Sequence, residues 1–231
     1  MEQKARLLEF RDIAPEVRHF VFEVDEVERF DFRPGQFVSL SDEVGGRKVT
    51  RAYSLASPPN GNRFELCLNR VKLGAFSPHL FSLRPGGTVP MKGPYGSFTL
   101  REPIRDAVFV ATGTGVAPFR SMLFDGRLWE AGKDYALILG VRHPDAILYR
   151  EEFEALEREH RNFRFLPVVS RPDAEWRGRT GYVQDHVLEA VGGRRDIDVY
   201  VCGLKEMVNE VRRLLLEHGF DKKQIIYEKY D

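Results

Sequence analysis

Cysteine is nearly missing from this sequence: Cys67 and Cys202 are the only two in 231 residues, and they fall in separate halves. Two thiols cannot form a disulfide framework or hold an iron–sulfur cluster that needs four thiolates. Any metal centre used for electron transfer would belong to another molecule. Net charge is missing as well. Lys+Arg and Asp+Glu both number 35, so no overall field draws the chain to nucleic acid. The apolar runs fall far short of the ~20 residues that span a bilayer. The N-terminus is charged and has no apolar stretch, so no secretory signal is expected. Together these absences predict a cytoplasmic monomer with no metal site, no membrane contact and no nucleic-acid partner.

Apolar side chains are plentiful. They make up 42% of the chain, 17 of them phenylalanine, which is core enough for one large domain or two ordinary ones. Residues 1–101 read as short strands between turn signals, at 7–10, 19–24, 36–41, 49–56, 63–71 and 88–92, with one short helix at 76–83. That pattern predicts a closed or nearly closed antiparallel barrel. From residue 102 to 231 strands and helices alternate, the mark of a parallel sheet covered on both faces. Strands are expected at 107–111, 135–141, 163–169, 197–202 and 224–230. Helices are expected at 116–131, 150–158, 182–190 and 205–218, with Gly132 and Gly219 as C-terminal stops.

The organising stretch is Asp106 to Met122. An apolar strand breaks into Thr112-Gly113-Thr114-Gly115 and passes through Val116-Ala117-Pro118 into a helix. Such a turn aims backbone N–H groups and the positive end of the helix dipole at one point, which suits a pyrophosphate. Pro118 falls in the first turn, where an N–H has no intrahelical partner. A plain strand–turn–helix corner reads the same way. Ligands of such sheets bind at the carboxyl ends of strands, where Thr112, Arg142, Ser170-Arg171 and Cys202-Gly203 also fall. In the first half, Arg51 and Tyr53 share one face of a strand and Ser54 points to the other. A guanidinium beside an aromatic ring suits a phosphate joined to a heterocycle, as it also suits an exposed strand.

Arg51-Ala52-Tyr53-Ser54 resembles the flavin-binding signature of the ferredoxin–NADP(H) reductase family, and Asn69-Arg70-Val71 followed by Gly74-Ala75-Phe76-Ser77 resembles its next segment. Ala75 stands where the family usually has a second glycine. Gly93 to Phe98 resembles the segment that closes the family's barrel domain. Gly113 to Pro118 is similar to its NAD(P) pyrophosphate loop, and Cys202-Gly203, with Met207, to its motif beside the nicotinamide. Trp176 to Gly181 is also similar to bacterial flavin reductases.

The resemblance implies a flavin-binding β-barrel followed by an NAD(P)-binding α/β domain, with the active site in the cleft between. It implies hydride transfer from NAD(P)H to FAD, then single electrons to a ferredoxin, a flavodoxin or another acceptor protein. In that scheme Arg51 and the turn at Gly74 to Ser77 hold the flavin phosphates, Tyr53 lies on a ring face and Ser54 bonds near N5. Cys202 positions the nicotinamide, Glu228 assists proton movement and Tyr230 covers the flavin. Ser170 and Arg171, with Arg179, would grip the 2′-phosphate of NADPH, although the same residues also occur with NADH. FMN in place of FAD stays open. So do three other readings: a reductase that releases its flavin, the reductase component of an oxygenase, and a flavin-binding module without turnover.

Overall fold

The computed structural model describes residues 2–230, so Asp231, which follows Tyr230, lies outside the described residues. Within it the chain forms two compact units. One holds the residues up to Leu100 together with Ala117–Asp125; the other holds Arg101–Val116 and the residues from Gly126 on.

The first unit is built on β1 (Gln3–Ala14), β2 (Val17–Val24), β3 (Phe37–Val44), β4 (Arg47–Ser54), β5 (Arg63–Asn69) and β6 (Thr88–Tyr95), with α1 (Phe76–Ser82) between the last two. Their order in the six-stranded sheet is β4-β3-β6-β1-β2-β5. Alternation sends one set of side chains inward. Leu7, Phe20, Phe22, Leu40, Phe64, Leu66 and Phe76 are fully buried, and the Phe22 and Phe64 rings stack at 5.4 Å. The sheet nearly closes. Past the end of β4, Leu55 bridges to Leu66 of β5, a single antiparallel bridge along that seam.

The helix α2 (Ala117–Leu123) belongs to this unit and sets Phe119 against Phe98 at 5.8 Å. Gly35 sits where backbone and side chains come closest. At its φ of 97° an added Cβ would strike the Phe98 carbonyl and the Met122 methyl. The sequence predicts one helix over 116–131, but a 3₁₀ turn at Gly113–Val116 and α2 are followed by a separate α3 (Gly126–Glu130). The break falls at Phe124-Asp125, just ahead of Gly126, and the Asp-Gly signal was hidden by the apolar spacing on either side.

The second unit contains β7 (Ala107–Thr112), α3, β8 (Tyr135–Val141), α4 (Arg150–Glu159), β9 (Phe163–Val169), β10 (Arg179–Thr180), α5 (Gln184–Val191), β11 (Asp198–Leu204), α6 (Lys205–Glu217) and β12 (Ile225–Tyr230). All pairings are parallel, in the order β10-β9-β8-β7-β11-β12. Five consecutive residues of β7, Ala107 to Ala111, are buried, as a strand covered on both faces requires. Gly132 and Gly219 follow their helices at positive φ, as expected. The chain moves from β7 outward through β8 and β9, then returns to the other side of β7 with β11. The order of strands therefore reverses between β7 and β11, at whose carboxyl ends ligands of open parallel sheets lie. Among the described residues no helix is long and apolar enough to cross a membrane, and no group of three metal-ligating side chains forms.

Candidate functional site

In the barrel unit, β4 carries Arg51 exposed, Tyr53 half-buried and Ser54 buried. The Tyr53 ring stacks on Phe76 of α1 at 6.3 Å and 19°. Burial pushes the Tyr53 phenol up to about 12, against the pull of Arg51, so it stays protonated at neutral pH. Arg51 donates to the carbonyl of Thr50 at 2.8 Å and otherwise faces solvent. Asn69, Arg70 and Val71 emerge exposed from β5. The turn behind them is held from within: Gly74 N donates to Val71 O and Val71 N to Ser77 Oγ, both at 2.9 Å. Ala75 at the N-cap of α1 adds no side-chain cap. The first N–H groups of α1, an arginine and a stacked aromatic thus lie on β4, α1 and the turn before it. A phosphate-bearing heterocycle fits that donor set.

In the second unit the Gly113–Val116 turn, Cys202, Gly203 and Met207 come together at the reversal point. The 3₁₀ turn Gly113–Val116 lies over the end of β11. An added Cβ at Gly115 would sit 2.5 Å from the Cys202 carbonyl oxygen, whereas one at Gly113, φ 51°, would meet nothing within 4 Å. The turn is therefore tight on its protein side and open on the other, a cradle that fits a pyrophosphate. Gly203, at φ 143°, packs under the Thr112 hydroxyl. That hydroxyl accepts the N–H of Leu204 at 3.3 Å, tying the end of β7 to the end of β11.

Cys202 is fully buried. It pairs in register with Ala111 on one side and Glu228 on the other, while Leu204 pairs with Tyr230. Burial pushes the thiol well up, the Glu228 carboxylate adds to this, and a hydrogen bond with Tyr230 acts against it. Cys202, Glu228 and Tyr230 thus form one cluster at the carboxyl ends of β11 and β12. Met207 is buried beneath Gly203, its methyl 3.1 Å from where a Cβ would stand.

The segment after β9 is hydrogen-bonded to the end of β8. Ser170 N donates to Val141 O at 3.0 Å, Arg171 N to Arg142 O at 2.8 Å, and Ser170 Oγ to Val141 O at 3.4 Å. Arg142 and Arg171 are both exposed beside this open end. Arg179 is engaged elsewhere. Its guanidinium pairs with Glu189 at 3.1 Å, and its carbonyl accepts the Trp176 indole N–H at 3.0 Å. The carboxyl of Glu189 is held low by that arginine. One of its donors is thus committed to Glu189, in a pair that is itself partly exposed.

Two features escaped the sequence reading. The strand β10 is only two residues long and carries no run to detect. Arg120 looked like an ordinary helix residue, yet its Nη1 donates to the carbonyl of Ala56 at 2.7 Å and to Glu65 Oε2 at 2.6 Å. Only pairing across 55 residues of sequence reveals it.

Residues 4–100 match the model of an oxidoreductase FAD-binding domain, and residues 109–213 that of an oxidoreductase NAD-binding domain. A Sorangium cellulosum protein named ferredoxin–NADP reductase B is 42% identical over 99% of this chain and 97% of its own length. The electron transfer component of toluate 1,2-dioxygenase from Pseudomonas putida is 33% identical, covering 86% of this chain and 59% of that protein. Among solved structures, an Amycolatopsis cytochrome P450 reductase superposes with a TM-score of 0.88 at 28% identity, over 99% of this chain and 69% of that one.

Proposed function

The chain belongs to the ferredoxin–NADP(H) reductase family of FAD- and NAD(P)-binding oxidoreductases, and on that premise we propose how its own residues serve the reaction. When bound, FAD takes a hydride from NAD(P)H and gives up its electrons one at a time to an acceptor. Arg51 supplies a charge-assisted donor to the flavin phosphates, and the first N–H groups of α1 supply the rest. Tyr53, kept protonated and stacked on Phe76, offers a flat face to the ring system. Ser54, buried at the end of β4, directs its hydroxyl toward the reacting edge of the flavin.

Thr112 to Pro118 hold the pyrophosphate of the nicotinamide nucleotide. Ser170 and Arg171, with Arg142 beside them, take the adenosine end, which favours NADPH over NADH. Cys202 sets the position of the nicotinamide, and Glu228 adjusts the local charge. Tyr230 covers the Cys202 thiol until the nucleotide arrives. The observation that carries this reading is the meeting of the Gly113–Val116 turn with Cys202 and Gly203 at the point where the strand order reverses. In this reading the acceptor is a protein of ferredoxin or flavodoxin type, supported by the name of the Sorangium relative, and these 231 residues, with two cysteines, hold no four-thiolate cluster of their own.

A second reading is the reductase component of an oxygenase system, favoured by the 33% identity to the toluate 1,2-dioxygenase component. One experiment tests both. The purified protein should be yellow, release FAD on denaturation and reduce a dye with NADPH. The two readings then separate by whether a ferredoxin or an oxygenase component is reduced faster. A colourless protein that takes up no flavin would remove the proposal.

A further inference from the structure

The strand that ends in Ser54 lies on the weak side of the barrel. It is laddered to β3 along its whole length, Phe37 pairing with Ser54. Toward β5 it has the single bridge Leu55–Leu66. A strand held along one edge only is free to shift or fray on the other, unless something else fixes it. Here the fixing is done just beyond Ser54, by a run of hydrogen bonds from Leu55 to Ser57. Leu55 N donates to Gln36 O at 2.9 Å, and Ala56 N to Glu65 O at 2.8 Å. The Ser57 hydroxyl accepts Glu65 N at 3.2 Å. The carbonyls of Ala56 and Ser57 are taken by consecutive side chains of α2. Arg120 Nη1 donates to Ala56 O at 2.7 Å, and Ser121 Oγ donates to Ser57 O at 2.5 Å.

Arg120 also holds the partner strand. Its Nη1 lies 2.6 Å from Glu65 Oε2, and its side chain is only 12% exposed, so the pair is shielded from solvent. His19 Nε2 is 3.5 Å from the same carboxylate. Burial keeps that imidazole neutral down to about 3, so the positive charge beside Glu65 comes from Arg120 rather than from His19. One guanidinium therefore joins the segment after Ser54 to β5 across the seam that the sheet leaves almost unladdered.

We propose that Arg120, with Ser121, is a positioning residue for the flavin site: the two side chains clasp Ala56 and Ser57 and so set the Ser54 hydroxyl against the reacting edge of the ring. The inference rests on the functional reading above, in which Ser54 faces the flavin. Arg120 touches neither flavin nor nucleotide in this scheme. It acts through two residues of backbone, where small displacements of reacting groups change rates steeply.

A cavity of about 280 Å³ makes the idea testable by rescue. It is lined by Glu9, Arg11, His19, Glu65 and Arg120, with Phe10 and Val21. Truncating Arg120 to alanine extends this cavity to Ala56 O and Glu65, and free guanidinium added to the solution can occupy the vacated place. The experiment uses the full chain as wild type, Arg120→Lys and Arg120→Ala. It measures flavin dissociation, the visible spectrum of bound flavin, its rate of reduction by NADPH, and the melting temperature of flavin-stripped protein.

Arg120→Ala should keep its flavin with a shifted visible spectrum and slow the reduction at least tenfold, with the KM for NADPH little changed. Arg120→Lys should fall between the two, because an ammonium reaches one of the acceptors. Guanidinium at tens of millimolar should recover part of the rate and spectrum of Arg120→Ala and leave wild type unaffected. A folded Arg120→Ala with wild-type spectrum and rate overturns the proposal. So does a slowed variant whose spectrum is unchanged and which ignores guanidinium. If Arg120→Ala fails to fold, the double variant Arg120→Met with Glu65→Gln, which leaves no place for guanidinium, is read by spectrum and reduction rate: wild-type values overturn the proposal, and a shifted spectrum with slowed reduction supports it. A wild-type protein that binds no flavin overturns the functional reading instead, which distinguishes the two failures.

Discussion

Thr112 and Gly203 touch across the ends of β7 and β11: a methyl group in place of the Gly203 hydrogen would overlap the Thr112 hydroxyl oxygen. That oxygen also accepts the N–H of Leu204. Gly203 stands at φ 143°, a backbone region that side-chain-bearing residues rarely adopt. Gly203→Ala should therefore lower stability by about 2 kcal/mol or more through strain and overlap together. Urea unfolding measures it, and NAD(P)+ affinity should fall in parallel. A variant as stable as wild type would mean that this end of the sheet is looser than described.

Arg51→Ala should remove a charge-assisted phosphate contact of about 1.5–3 kcal/mol, weakening flavin retention roughly tenfold or more. Fluorescence titration of stripped protein with FAD checks it. The fold should be untouched, because Arg51 is exposed and its guanidinium bonds to the carbonyl of its neighbour Thr50.

Cys202→Ser should slow the reduction of bound flavin while leaving flavin content unchanged, read by stopped-flow absorbance. The buried thiol, pushed well up, should also resist alkylation at pH 8 in the native protein. Replacing Tyr230 with serine should make it react faster. If Cys202 alkylates readily in wild type, Tyr230 is not its cover.

Arg171→Ala should raise the KM for NADPH about thirtyfold, for a contact of ~2 kcal/mol, and barely change NADH. Arg179→Ala should do much less, since Glu189 already holds that guanidinium. If wild type shows the higher kcat/KM with NADH, Arg171 is a surface arginine without this role.

His19 makes stability depend on pH. Burial, with Arg120 and Arg11 close by, lowers its pKa from 6.5 to about 3. Below pH 6.5 the unfolded chain takes up a proton that the folded chain refuses. Stability is full above pH 6.5 and falls as the pH drops toward 3. The slope approaches about 1.4 kcal/mol per pH unit. Urea midpoints between pH 7 and 4 should show this slope, and His19→Gln should flatten it.

Much of this was legible because the signals were local. The expected strands at 135–141 and 163–169 coincide with β8 and β9. Their apolar runs are bounded by charges and turns, and both lie inside the sheet. The Gly113–Val116 turn could be placed because it follows such a strand, whereas Cys202 and Gly203, expected at the end of a strand over 197–202, lie inside β11, which runs on to Leu204. The helix expected over 116–131 failed at Asp125, because apolar spacing continued across a turn that only packing decides. Arg120 stayed hidden for the same reason: nothing near it in sequence marks its acceptors at Ala56 and Glu65. The sequence offers Arg179 as a second cation beside Arg171 but does not show that α5 returns Glu189 to it.

The helix α2 is grouped with the barrel although the chain reaches it only after β7 has been laid down. This matters for anyone exchanging halves between relatives. A crossover at residue 101 would give one parent's Phe98, Ala56 and Glu65 the other parent's Phe119, Arg120 and Ser121. The chimera would inherit a seam that neither parent was selected to close. Moving 117–125 along with the first hundred residues keeps the seam intact, so the unit of exchange is a discontinuous one.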